Sequence, residues 1–245
     1  KYKIEKGLNN NELINLLRSG KQTFVKLSFN NQDSFEKLAG RISQQIEADS
    51  LSLLSAFKNL KYSNKIGFSS YTALAMYIPN TYEFYWNTTA EEFRDRMQKE
   101  YLSFWNKDRT EKATKLGLSK IEVITLASIV QKETAIVAER PLVAKLYLNR
   151  LKDNWPLQAD PTIIFALKQK IGEKTVIKRV LKKDLKIESP YNTYRNSGLP
   201  PGPIAMPDIS SIDAVLNPAN HNYYYMCASI TTFGAHEFAK TLSQH

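Results

Sequence analysis

Apolar positions along the chain follow two periods, and their order sketches a mixed fold. Residues 22–29, QTFVKLSF, alternate apolar with polar and predict a strand. Ahead of it, YKI at 2–4 predicts a further short strand, Gly7 a turn, and NNELINLLRS at 10–19 a helix stopped by Gly20. A capping box at Asp33 and Glu36 predicts a second helix burying Phe35, Leu38, Ile42 and Ile46, and another helix covers about 50–60. The aromatic-rich stretch AMYIPNTYEFYW at 75–86, broken by Pro79, leads into a helix capped by Thr89 with Glu92, whose apolar side is Phe93, Met97, Tyr101 and Phe104. Residues 106–109 read as a loop.

Ser119 with Glu122 opens the next helix, predicted from Lys120 to about Val137. It carries apolar residues on nearly every side, which places it at the centre of a core. Pro141 suits the first turn of PLVAKLYLNRL, and Asp160-Pro161 reads as cap and first turn of TIIFALKQ. The texture then changes: Pro190, Pro200, Pro201, Pro203 and Pro207 punctuate a stretch that can be neither helix nor central strand. A short helix (SSIDAVLN), two strands (YYYMCASI and HEFAK) around Gly234, and the start of a helix at His245 complete the pattern. The fold class is α+β, mainly helical with short strands, preceded by a small α/β region, with the division near residue 80.

One residue contradicts the pattern. Within SIVQKET at 128–134, a helical wheel puts Leu126, Ile129, Val130, Ile136 and Val137 within roughly 60° of Glu133. A carboxyl in such a stripe loses solvation of its charged form, so its pKa rises towards neutrality and it can donate and accept a proton near pH 7. The competing reading is a structural glutamate paired with a cation; neighbouring Lys132 points to a different face and is not an obvious partner.

Composition narrows the chemistry. The 245 residues hold 34 Lys and Arg against 24 Asp and Glu, a formal +10, which implies an acidic partner such as nucleic acid, anionic headgroups or acidic wall polymer. The densest basic run, KRVLKKDLK at 178–186, reads as a solvated helix face, and no nucleic-acid motif accompanies it. Cys227 is the single cysteine, and His221, His236 and His245 form no ligand pair, so neither a metal nor another cofactor is expected. No apolar run approaches the ~20 residues of a membrane span. The chain starts without Met inside a folded pattern, as a piece of something longer would.

Other candidates are weaker alone. Gln158 and Asp160 in LQADPT could bind polar substrate groups, although Asp160 is also the expected cap. Tyr191, Asn192, Thr193 and Tyr194 precede the proline-rich segment, and a rigid loop bearing amides and rings suits carbohydrate. Asn149 and Arg150 could be a solvated helix end, and His236 a turn residue.

Together, SIVQKET, ERPLVAKLYLNRL, LQADPTI, YNTYRNSGLPPGPIAMP and GAHEFAKTLSQH stand in the order and spacing of the YceG-like family of endolytic murein transglycosylases, which the chain resembles over about 118–245. Residues 1–80 resemble more loosely the family's LysM-like N-terminal region. Gln131, Ala159 and Ala235 replace a glutamate, a threonine and a glycine of the family pattern. The resemblance implies that Glu133 is the single catalytic acid and base, cleaving the MurNAc–GlcNAc bond of nascent glycan to leave 1,6-anhydro-MurNAc ends and so terminating strand elongation. It further implies sugar-orienting roles for Gln158, Asp160, Asn192 and Tyr194, with Ser128, Asn149 and His236 as second candidates. Its expected setting is the outer side of the cytoplasmic membrane, anchored by an N-terminal helix outside this sequence, with peptidoglycan strands as substrate and peptidoglycan synthases as possible partners. A two-carboxylate hydrolase pairing Glu133 with Asp160, and a non-catalytic glycan-binding scaffold, are the alternatives.

Overall fold

A computed structural model describes residues 1–173 and 175–244. The N-terminal region runs α1 (Asn10–Arg18), β1 (Val25–Phe29), α2 (Phe35–Ser43), α3 (Ser50–Phe57), α4 (Leu60–Lys65) and β2 (Asn80–Phe84). The predicted strand at YKI does not form. Instead β1 pairs antiparallel with β2, Leu27 opposite Tyr82, so alternating Leu27, Phe29, Tyr82 and Phe84 turn one face into the core. That pairing spans the division expected near residue 80, and one apolar cluster continues from Leu27 to Leu216.

Helix α2 is capped by Ser34, whose hydroxyl accepts from the Lys37 amide, rather than by Asp33. Asp33 is drawn off by two lysines, Lys37 at 2.6 Å and Lys132 at 2.5 Å. The helix expected over 50–60 is two, α3 and α4, because Asn59 caps a fresh start with its side chain. Likewise 106–109 is no loop: Asn106 caps α6 (Lys107–Lys115), directly after α5 (Ala90–Phe104) with its predicted Thr89–Glu92 box.

The central helix α7 (Lys120–Glu133) opens with the predicted Ser119–Glu122 box, and Val123 to Val130 are all buried. It packs against α8 (Arg140–Lys152), α9 (Asp160–Ile171) and α10 (Ile209–Leu216). It ends at Glu133, four residues short of the predicted end. Thr134 turns extended, and its hydroxyl accepts from the Ile136 amide and donates to Glu139, a local bonding alternative to another helical turn. Ile136 and Val137 therefore lie beyond the helix, and Val137 is exposed.

Three smaller corrections concern the C-terminal half. Ala159 occupies the cap position of α9 and Asp160 is the first helical residue, so the aspartate makes no side-chain cap. The basic run at 178–186 is irregular apart from a turn of 3₁₀ helix at Asp184–Lys186, where six charges in nine residues leave little to bury. Asn149 and Arg150, read as a solvated helix end, are buried. The chain closes on the hairpin of β3 (Tyr225–Ala228) and β4 (His236–Ala239), then a 3₁₀ turn at Leu242–Gln244; His245 lies outside the described residues.

The proline-rich segment is irregular, as predicted, and pins the N-terminal region to α7. The Ile204 amide donates to the Ser128 hydroxyl (3.0 Å) and the Met206 amide to the Gln32 carbonyl (2.8 Å). At Gly202 the backbone comes so close to Tyr71 that a Cβ would sit 2.0 Å from its carbonyl oxygen. Only glycine permits that approach.

Candidate active site

Glu133, the last residue of α7, is half-buried. Leu126, Ile129 and Val130 pack beneath it with no exposed surface. The Tyr147 hydroxyl, one helix away on α8, donates to its Oε1 at 2.6 Å. Burial raises the Glu133 pKa to about 7; the Tyr147 bond opposes the rise, Asp160 adds to it, and His236 and Arg150 pull the other way. Position at a helix C-terminus disfavours a negative charge as well. Burial, with Glu133 adding to it, likewise holds the Tyr147 phenol well above its usual range, so it remains a donor.

Asp160 opens α9 beside this carboxyl, and the Tyr194 hydroxyl donates to its Oδ1 at 2.6 Å. Gln158, exposed, sits just before it at φ 52°, in the left-handed region, its amide bonded to the Thr193 carbonyl. Such strain in a non-glycine residue is commonest where a loop is built for function. Thr193 clamps the two loops: its hydroxyl accepts from the Ala159 amide (3.0 Å) and bonds Thr162 (2.9 Å).

His236 enters from β4. Its backbone amide and its ring Nδ1 both reach the Glu139 carboxylate, at 2.6 and 2.9 Å, and Thr134 donates to the same group at 2.8 Å. Despite desolvation, these bonds hold the Glu139 carboxyl below its usual pKa. The hairpin is thereby moored beside the end of α7. Arg150 completes the floor, its guanidinium bonded to the carbonyls of Tyr224 and Leu157.

The sequence candidates therefore divide. Glu133, Gln158, Asp160, Tyr194 and His236 gather around one site. Ser128, Asn149 and Asn192 are buried with their polar atoms committed elsewhere: Ser128 to Ile204 and Thr125, Asn149 to the carbonyls of His221 and Tyr223, Asn192 to Leu185, Ile187 and the Tyr194 amide. Gln131, where the family pattern has glutamate, accepts from the Asp208 amide and the Ser211 hydroxyl and ties α7 to α10. Sequence reasoning missed Tyr147, Glu139 and Thr134. Tyr147 offered one signal, a phenol at a position of α8 where a core helix would place leucine. Among the described residues no cluster of His, Cys, Asp and Glu could hold a metal.

A half-buried acid with a pKa near neutrality and a second carboxylate within electrostatic reach is an arrangement that could serve proton transfer at a glycosidic bond. The chain belongs to the YceG-like family, whose model matches residues 1–245. It is similar to the endolytic murein transglycosylases of Bacillus subtilis (39% identity over 160 residues, 65% of this chain and 42% of that one) and Streptococcus pneumoniae (33% over 157 residues, 62% and 27%). The chain thus spans less than half the length of these relatives. A crystal structure titled as a putative yceG-like protein from Listeria monocytogenes superposes with a TM-score of 0.76 at 27% identity, over 100% of this chain and 82% of that one.

Proposed function

We propose that the chain carries the catalytic part of an endolytic peptidoglycan transglycosylase, with Glu133 as acid and then base. The observation that carries this reading is a single half-buried carboxyl with a pKa of about 7, held by Tyr147. At neutral pH a large fraction is protonated, where a solvated glutamate would be almost wholly ionised.

With Oε1 held by Tyr147, the transferable proton sits on Oε2. It passes to the oxygen bridging MurNAc C1 and GlcNAc C4; the C1–O bond breaks and GlcNAc leaves with a free hydroxyl. As positive charge grows on C1, the new carboxylate accepts the Tyr147 bond more strongly. The carboxylate then removes the proton from the MurNAc C6 hydroxyl, whose oxygen bonds C1 and closes the 1,6-anhydro ring. Glu133 ends protonated, ready for another turn, and no water is consumed. In this reading Gln158, Asp160 and Tyr194 orient the sugars, with His236 at the rim, while Asn192 supports the Tyr194 loop, Asn149 the approach to β3 and Ser128 the proline-rich segment.

Asp160 supports a second reading. A carboxylate within electrostatic reach of the acid could activate water, giving a hydrolase. Product ends separate the two, anhydro for the first and reducing for the second. The names of the relatives support murein as substrate. Action on nascent strands outside the cytoplasmic membrane, termination of their growth, a LysM-like role for residues 1–80 and contact with peptidoglycan synthases are further parts of the proposal. Among the described residues no helix is long and apolar enough to cross a membrane. Incubating glycan strands with the protein and with Glu133→Gln, then identifying new ends by mass spectrometry, tests the assignment.

A further inference from the structure

His236 is tied to Glu139 twice, and one bond is enough to moor the hairpin. The backbone amide reaches Oε1 at 2.6 Å and holds β4 in place. The ring adds a second bond to the same carboxylate, from Nδ1 to Oε2 at 2.9 Å. Thr134, the residue after Glu133, donates to that oxygen as well, at 2.8 Å. Three bonds thus converge on one buried carboxylate, which fixes the imidazole and couples its position to the end of α7.

The same bonds decide which ring nitrogen holds the proton. The Glu139 carboxyl titrates below its usual range, so near neutral pH it is ionised and can only accept. Nδ1 is therefore the donor, and in the neutral ring Nε2 is left with a lone pair. Nε2 hydrogen-bonds no described residue, yet it is not among the unpartnered polar atoms that are sealed from solvent. The ring also lies close enough to Glu133 for its charge to act on that carboxyl. A fixed acceptor in this position suits a ligand that offers O–H or N–H donors. Murein sugars offer both, in their hydroxyls and acetamido groups.

We propose that His236 contacts the substrate, its Nε2, set as an acceptor by Glu139, taking a hydrogen bond from a hydroxyl or acetamido N–H of the sugar at Glu133. The identity of the ligand rests on the proposed function. Glu133 keeps both proton transfers, and His236 holds the sugar on which they act. The role carries a pH signature. Histidine changes charge between about pH 5 and 8, and once Nε2 gains a proton it can no longer accept. Affinity for glycan therefore falls on the acid side. The charged groups around the ring are Glu139, Glu133, Asp160 and Arg150, with Glu237 next to it on β4 bonded to Ser229. Glu133 titrates within the same range, so the test is made with that residue replaced by glutamine.

The whole chain carrying Glu133→Gln is titrated with uncrosslinked glycan strands, with two readouts. Imidazole nitrogen NMR should place the proton of the neutral His236 ring on Nδ1, and added glycan should shift Nε2. Dissociation constants at pH 8 and pH 5 form the second readout, and binding should weaken about tenfold at the lower pH. His236→Ala on the same background should bind about tenfold more weakly at pH 8 and lose most of the pH dependence. His236→Gln, whose carbonyl accepts at either pH, should recover part of the affinity without restoring that dependence. A proton on Nε2, a glycan complex that leaves Nε2 unshifted, or a His236→Ala protein with the full pH dependence would overturn the proposal. Cleavage of the strands by Glu133→Gln would instead sink the assignment of Glu133 and leave the contact at His236 standing, whereas absence of any glycan binding would sink both.

Discussion

Replacing Glu133 by glutamine should make the protein more stable, and the gain should depend on pH. In the folded chain the carboxyl titrates near 7 against an ordinary value of 4.5. Between those values the folded state binds more protons than the unfolded state, so stability falls as pH rises through that window and the whole cost is present above it. At ~1.4 kcal/mol per unit the cost is ~3.4 kcal/mol; the partial exposure of Glu133 screens some of it, leaving about 2 kcal/mol. Glutamine carries no charge at any pH, and its carbonyl can still accept from Tyr147. Urea unfolding of both proteins at pH 4 and pH 8 measures the difference. Near-equal stability is expected at pH 4, and at pH 8 an advantage of about 2 kcal/mol for the variant, roughly 4–8 °C in Tm. A variant no more stable at pH 8 than at pH 4, relative to wild type, would show that Glu133 is ionised at little cost and cannot serve as the acid.

Other outcomes follow from the same contacts. The rate on glycan should fall about tenfold per pH unit above 7 as the acid form of Glu133 is lost, and a flat profile to pH 9 would contradict its role as donor. Tyr147→Phe removes the bond that opposes the raised pKa, so the alkaline limb should move up while the rate drops roughly 10- to 100-fold from loss of carboxyl orientation; a pH–rate series on the folded variant reads both. Gly202→Ala drives a methyl into the Tyr71 carbonyl and should destabilise by about 2–3 kcal/mol in urea titrations. Glu139→Ala strands the His236 amide and the Thr134 hydroxyl; about 2 kcal/mol is expected, with faster amide exchange in β3 and β4 as the specific sign.

Much of this site was legible because it is written in local patterns. The Ser119–Glu122 and Thr89–Glu92 boxes gave two helix starts to the residue, since a cap is a contact between positions three apart. An acid among Leu126, Ile129 and Val130 was visible for the same reason. The end of α7 was not, because Thr134 finds its partner in Glu139, and that carboxylate is fixed by His236 almost a hundred residues on. Asp160 read as a cap until Tyr194 claimed its carboxylate across a loop contact. Ser128, Asn149 and Asn192 looked like sugar ligands because polar residues in a family motif do; their partners are backbone groups that only the folded chain brings within reach. Sequence spacing speaks to neighbours on one helix or strand, and the proposed chemistry depends on what α8, α9 and the hairpin bring to the end of α7.

The most direct test of the central claim is the chemistry of the new chain ends. Uncrosslinked glycan strands incubated with the wild-type protein should yield 1,6-anhydro-MurNAc ends by mass spectrometry, and a folded Glu133→Gln variant should yield none. Reducing MurNAc ends instead would assign the reaction to water and Asp160, and anhydro ends from the variant would remove Glu133 from the chemistry altogether.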